Sequence, residues 1–163
     1  MLTVENLHAY YGKSHILQGV SFHIGEGEIV SLLGRNGVGR STTIKAVMGL
    51  VAPQGSVVFK GRDIAGLKAH QIARLGIGYV PETRDIFPGL TVRQNLILGL
   101  KDIRRRGRWP IDDMFDTFPY LGERADTPAD VPSAGEQHMP AMCRTLLRSP
   151  HPHISRHPTG ALA

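Results

Sequence analysis

The 163-residue sequence predicts an α/β fold, on three observations. Residues Leu2 to Leu7 and Ile16 to Ile24 alternate apolar and polar side chains, the period of half-buried strands. The run Glu28 to Leu33 is short, nearly continuous in apolar character and ends at Gly34, as when a buried parallel strand feeds a glycine loop and then a helix. Further along, a strand, a short helix and a second buried strand follow one another in β-α-β order.

Taken in order, Tyr10 to Ser14 supply the turn between the first two strands, so the chain is expected to begin as antiparallel β. A helix is expected from about Ser41 to Leu50, with Gly49 near its end and Pro53 shortly beyond as stop signals. Gly55 to Lys60 reads as a strand, Lys68 to Leu75 as a short helix, and Ile77 to Val80 as a buried strand that stops at Pro81. Thr91 to Leu100 places Val92, Leu96, Ile97 and Leu100 at helical spacing. From Asp112 onward helix and loop predominate, interrupted by Pro119, Pro128 and Pro132, and a last helix is expected from Glu136 to Arg148. The final fifteen residues change character: they hold His151, His153, His157 and three prolines, with almost no apolar run. No internal repeat or low-complexity tract is present.

Composition narrows the function classes. Hydrophobic residues make up 41% and charged residues 20%, ordinary for a globular domain, and no run approaches the ~20 apolar residues that cross a bilayer. The N-terminus has neither a basic start nor an apolar core segment, so no secretory signal is expected and a cytosolic address follows. Cys143 is the lone cysteine, which excludes an intramolecular disulfide or a cysteine metal cluster. Of the net charge of +5, the clearest cluster runs from Lys101 to Arg108. It reads either as a solvated face or as a docking patch for an acidic partner or lipid headgroups. No aromatic residues interleave with it, so nucleic acid is not an expected partner.

The chemistry-bearing segment is Gly34-Arg35-Asn36-Gly37-Val38-Gly39-Arg40-Ser41-Thr42. Its spacing is G-x-x-x-x-G-basic-S, placed after a strand-like run and before a helix. In that setting glycines let backbone N–H groups turn toward phosphate oxygens, and the helix N-terminus adds partial positive charge. The amides from Asn36 to Thr42 are the expected cradle, and the Ser41 hydroxyl is a candidate ligand for Mg²⁺. A glycine-rich loop also serves as a ligand-free tight turn, but that role does not require the basic residue and hydroxyl that follow. Arg40 stands where a lysine is usual, spreading the charge over a wide planar fork instead of a compact ammonium. Binding can survive that exchange; placement of a transition state, which depends on an ångström or so, should suffer more.

These motifs resemble those of the nucleotide-binding subunits of ATP-binding cassette (ABC) transporters, and most nearly the subunits serving branched-chain amino-acid importers. Tyr10-Tyr11-Gly12 is similar to the family's aromatic loop, which implies that Tyr11 stacks on adenine. The segment Gly78-Tyr79-Val80-Pro81-Glu82, with Ile86-Phe87-Pro88 and Leu90-Thr91-Val92 after it, resembles the Q-loop region. The resemblance places Glu82 at the metal and residues Ile86 to Leu90 against a membrane subunit. Pro132-Ser133-Ala134-Gly135-Glu136-Gln137 stands where the family reads L-S-G-G-E-Q, the signature that reaches the γ-phosphate of an opposing subunit. Ser133, Gly135 and Glu136 match. Ala134 adds a Cβ where backbone must approach phosphate, and Pro132 removes a donor and an apolar anchor.

The Walker B segment departs furthest. Where the family has four apolar strand residues and then Asp-Glu-Pro, this chain has Pro152-His153-Ile154-Ser155-Arg156-His157-Pro158. Arg156 occupies the place of the aspartate that holds the Mg²⁺ shell, and His157 that of the glutamate that polarises water. No confident catalytic residue remains, and Pro152 with its polar neighbours is expected to spoil the strand. The three tail histidines lack a helical metal spacing; their expected role is at most adventitious binding of nickel or zinc.

The resemblance covers residues 2 to 163, and the family's domain continues for roughly another half of this length. The expectation is therefore a P-loop NTPase core of α/β class with an N-terminal antiparallel part and a helical signature part. Residues 1–163 form one nucleotide-binding domain whose C-terminal portion is absent. The resemblance implies ATP as ligand, Mg²⁺ as its companion ion, a membrane permease and a second ATP-binding subunit as partners, and a place at the inner face of the cell membrane. A non-catalytic nucleotide- or partner-binding module, or a remnant without function, is the alternative that the altered positions raise.

Overall fold

A computed structural model describes residues 1–28, 30–81, 86–100, 110–129, 138–148 and 153–155. They fall into two compact units, Met1–Leu75 and Gly76–Ala163.

The first unit is built on an antiparallel sheet of order β2-β1-β3-β4, comprising β1 (Leu2–Tyr11), β2 (Ser14–Ile24), β3 (Pro53–Phe59) and β4 (Arg62–Asp63). β1 pairs on both sides, Leu2 with Ile24 and Phe59, Val4 with Phe22 and Val57. Its alternation is interrupted: Leu2 and Val4 are buried, then Leu7 and Ala9. An irregularity between Val4 and Leu7 supplies the extra residue, with Asn6 at φ 49° and its N–H donating to Ser21 Oγ at 2.9 Å. Without that bulge Leu7 and Ala9 would turn to the opposite face, because a one-residue slip reverses every later side chain. Gly55 of β3 lies against the carbonyl oxygens of Glu5 and Asn6 at φ 104°, so the bulge and a glycine are matched across the ladder. The strands run closer to the turn than the sequence implies, through Tyr11↔Ser14, leaving only Gly12 and Lys13 outside the ladder.

Helix α1 (Arg40–Val47) packs its buried residues Thr42, Thr43, Ala46 and Val47 on this sheet. It stops short of the expected Leu50. Gly49 at φ 65° donates its N–H to Ala46 O at 3.1 Å and Leu50 N–H reaches Lys45 O at 2.8 Å, a left-handed cap that satisfies the last carbonyls and turns Leu50 outward. Helix α2 (Ala69–Arg74) follows, entered where Lys68 N–H donates to Gln71 Oε1 at 2.9 Å.

Among the described residues of 28–33 the expected buried strand does not form. Residues 30–35 have no regular structure, and Val30, Leu32 and Leu33 are exposed, Leu33 by 85%. A run of this kind is stable only when sheet neighbours take its backbone and helices cover both faces. Among the described residues no strand pairs with it.

In the second unit β5 (Gly78–Val80) pairs in parallel with β6 (His153–Ser155), Tyr79 opposite Ile154. A strand therefore forms where Pro152 and its polar neighbours were expected to prevent one. Proline blocks a ladder from inside it, and Pro152 precedes the paired residues. Around it lie α3 (Val92–Ile97), α4 (Ile111–Thr117), α5 (Pro119–Glu123) and α6 (His138–Leu147). Val92, Leu96, Met114, Leu121, Ala129, Cys143 and Leu147 make their shared core. Thr91 caps α3: its Oγ1 accepts from Gln94 N–H while Gln94 Oε1 accepts from Thr91 N–H. The helix ends before the expected Leu100, where Gly99 passes directly beside the Arg144 carbonyl of α6. Pro140 lies in the first turn of α6, where its missing N–H has no intrahelical acceptor to lose.

Candidate nucleotide site

The loop from Gly34 to Gly39 and the first turn of α1 define the site. Residues 34–38 are exposed while Gly39 is buried, so the loop stands open to solvent on an anchored base. Gly37 and Gly39 take φ 86° and 96°, a region that side-chain-bearing residues avoid. A Cβ at Gly39 would also lie 2.7 Å from Leu17 Cδ2, so glycine lets the helix N-terminus sit on β2.

Sequence reasoning missed the anchor, Thr43. It is almost wholly buried; its N–H donates to Gly39 O at 2.8 Å and its hydroxyl donates to the same oxygen at 3.0 Å. The helix begins there, and the first amides of a helix have no acceptor within it. Such amides, with the positive end of the helix, suit an anionic oxygen. An i, i+4 contact adds to this: Arg40 Nη2 donates to Asn36 Oδ1 at 2.9 Å, holding the guanidinium back along the loop.

Tyr11 ends β1 in the same unit and is about half exposed, so its ring is open on the hairpin whose second strand supports Gly39. Ser41 lies in the first turn of α1. Glu82, the signature residues Ser133, Ala134, Gly135 and Glu136, and Arg156 and His157 lie outside the described residues, as does the basic cluster from Lys101 to Arg108.

Asn95 was not singled out in the sequence. Its side chain is buried in α3, where Nδ2 donates to the carbonyls of Phe87, Leu90 and Thr91 and Oδ1 accepts from Phe87 N–H at 2.9 Å. It fixes the turn Phe87 to Thr91, on which Phe87 is exposed beneath the Arg144 guanidinium, 5.1 Å from the ring centroid.

The glycine loop opening a helix, on an antiparallel sheet that carries an aromatic hairpin end, is joined by a match to the ABC transporter family over residues 17–158. The chain belongs to that family. Among curated relatives, it is 38% identical over 152 residues to the high-affinity branched-chain amino acid transport ATP-binding protein BraG of Pseudomonas aeruginosa, covering 92% of this chain and 65% of that one. It is 37% identical over 155 residues to the lipopolysaccharide export system ATP-binding protein LptB of Haemophilus influenzae, covering 92% and 64%. A solved ATP-binding subunit of an ABC transporter superposes with a TM-score of 0.82 at 28% identity, over 99% of this chain and 68% of that one. The fold is thus the ABC ATPase form of the P-loop NTPase, and the chain spans about two thirds of the length of these relatives. Among the described residues no helix is long and apolar enough to cross a membrane.

Proposed function

We propose that this chain is an ATP-binding subunit of an ABC transporter of the branched-chain amino-acid import type, holding ATP through the loop Gly34 to Thr42 with hydrolysis impaired. The observation that carries the reading is the loop itself: two glycines at positive φ, an anchored Thr43 and a helix N-terminus beside the Arg40 cation. Tyr11 is the adenine platform, and the amides from Asn36 to Thr42 bind phosphate. Likeness to BraG favours branched-chain amino acids, although LptB is nearly as similar.

ATP fits the residues present; Mg²⁺ fits them less well. A hard dication takes oxygen ligands in a near-octahedral set. Ser41 offers one hydroxyl, and Glu82 one carboxylate by resemblance. A cation at position 156 opposes the ion where the family places a carboxylate. Hence no hydrolytic step is assigned. The partners are a permease at the inner face of the membrane, met by Ile86 to Leu90, and a second ATP-binding subunit. A second reading, a nucleotide-binding module without turnover, is favoured by Arg156 and His157 at the Walker B positions.

Calorimetric titration with ATP, paired with a phosphate-release assay, tests both. Saturable binding that Arg40→Ala weakens, without phosphate release, is expected. Absence of saturable binding overturns the proposal, and release at an undiminished rate overturns the assignment of impaired hydrolysis.

A further inference from the structure

The outer face of the β1–β2 hairpin carries a cluster that nucleotide binding does not use. His8 Nδ1 and His15 Nε2 share a hydrogen bond of 3.0 Å from diagonal positions on neighbouring strands, with ring centroids 5.1 Å apart and planes 26° from parallel. His8 Nε2 lies 3.0 Å from Asn6 Oδ1, an oxygen that only accepts, so the ring carries its proton there and, when neutral, aims the Nδ1 lone pair at His15. The Asn6 bulge turns this amide beside His8, and Gly19 leaves the space: a Cβ there would lie 3.0 Å from Asn6 Oδ1. On the other side Tyr10 stacks on His15 with centroids 4.3 Å apart and planes 11° from parallel. Both imidazoles are thus oriented by a neighbour and open to solvent.

We propose that His8 and His15 form a two-imidazole site for a divalent transition-metal ion of tetragonal preference, Cu²⁺ above all. With metal–nitrogen bonds of about 2.0–2.1 Å, nitrogens 3.0 Å apart subtend roughly 90–97° at the ion. That is a cis angle of a square-planar or tetragonal centre, whereas tetrahedral Zn²⁺ needs the nitrogens about 3.3–3.4 Å apart. The hydrogen bond from His8 Nε2–H to a carbonyl oxygen is the outer-shell contact that fixes the ring of a metal-ligating histidine. The ion takes the place of the proton shared by the two nitrogens, small tilts of both rings turn their lone pairs toward it at this separation, and water fills the remaining positions. No group of three His, Cys, Asp or Glu side chains suited to a metal occurs among the described residues, and the proposed site rests on these two ligands alone. An ion there cross-links β1 to β2 a few residues from Tyr11.

The test is titration of the whole chain with Cu²⁺ and, separately, Zn²⁺, read by calorimetry and by the electron paramagnetic resonance of bound Cu²⁺. The expected result is one Cu²⁺ held with two nitrogen ligands, and Zn²⁺ held at least about tenfold more weakly. His15→Ala and His8→Gln should each cost about tenfold or more in Cu²⁺ affinity and leave a single nitrogen. His15 is exposed, so its variant should melt as the parent does. Cu²⁺ binding undiminished in both variants would assign the ion elsewhere, for example to His151, His153 and His157, and overturn the proposal. So would failure of the parent chain to bind Cu²⁺ at all, or a preference for Zn²⁺.

Discussion

In the N-terminal unit the backbone does the holding: β1 is laddered on both sides, and the glycine loop rests on β2 through Gly39 and Leu17. In the unit from Gly76 onward the ladder among the described residues is three residues long, and side chains take over, with Asn95 tying a turn and an apolar cluster joining short helices. The same division separates the functional positions. Of the expected nucleotide positions, Tyr11 and the loop Gly34 to Thr42 fall in the first unit and keep the family pattern except at Arg40, whereas the signature residues fall in the second. Of those expected at the metal and the attacking water, Ser41 lies in the first unit and the others in the second, where Arg156 and His157 depart from the family pattern, as do Pro132 and Ala134 of the signature. Departures from the family pattern are thus concentrated in the second unit, with Arg40 the exception in the first.

The largest effect that would sharpen this contrast is catalytic. Arg40→Lys combined with Arg156→Asp and His157→Glu should raise ATP turnover above background by about 10²-fold, the scale of a misplaced reacting group. Equal turnover in parent and variant would break the contrast.

Next come two glycines, one from each unit, at which backbone passes close to backbone. Gly55→Ala forces a Cβ toward the carbonyls of Glu5 and Asn6 at φ 104° and should cost about 1–3 kcal/mol for the conformation alone. Gly99→Ala meets the Arg144 carbonyl and should cost about 1–3 kcal/mol by overpacking. Hydrogen exchange should show the first loosening β1 and β3, and the second α3 and α6. Uniform loosening in either variant would show that the two units unfold as one.

A smaller change separates binding from folding within the first unit. Tyr11→Ala should weaken ATP by about 1–3 kcal/mol, the scale of base stacking on an aromatic ring. It should leave the melting temperature of the free chain unchanged, because the ring is half exposed.

The smallest effect belongs to Cys143. Burial pushes its thiol from an ordinary value near 9 up to about 12, so the folded state keeps the proton where the unfolded chain releases it. The contribution to stability is complete below about pH 9 and is lost as pH rises toward about 12. Alkylation of the native protein should be blocked at neutral pH and appear only with unfolding.

Much of this was legible in the residues. Alternation located β1 and β2, and the glycine loop placed the start of α1 to within a residue. What stayed hidden depends on partners. The Asn6 bulge looks like a break in alternation until Ser21 and Gly55 are seen against it. Residues 30–33 have the composition of a buried strand, but composition does not supply the neighbours that make one. The end of α3 at Gly99 is set by the approach of α6, and the two-residue β4 by pairing with Phe59 and Val58; neither is written in a local period. In the site, Arg40 and Tyr11 were readable as motif positions, whereas the Thr43 anchor and the Arg40–Asn36 bond arise only once the loop has folded against α1.

The central claim is that the chain binds nucleotide without a working metal centre, and a thermal melt with and without ATP and Mg²⁺ tests it most directly. At ~100 times its dissociation constant ATP should add about 2.7 kcal/mol, a rise of roughly 2–4 °C for a domain of this size. The account predicts a cooperative transition raised by ATP to the same extent whether or not Mg²⁺ is present. A rise that requires Mg²⁺, or a chain with no cooperative transition, would contradict it.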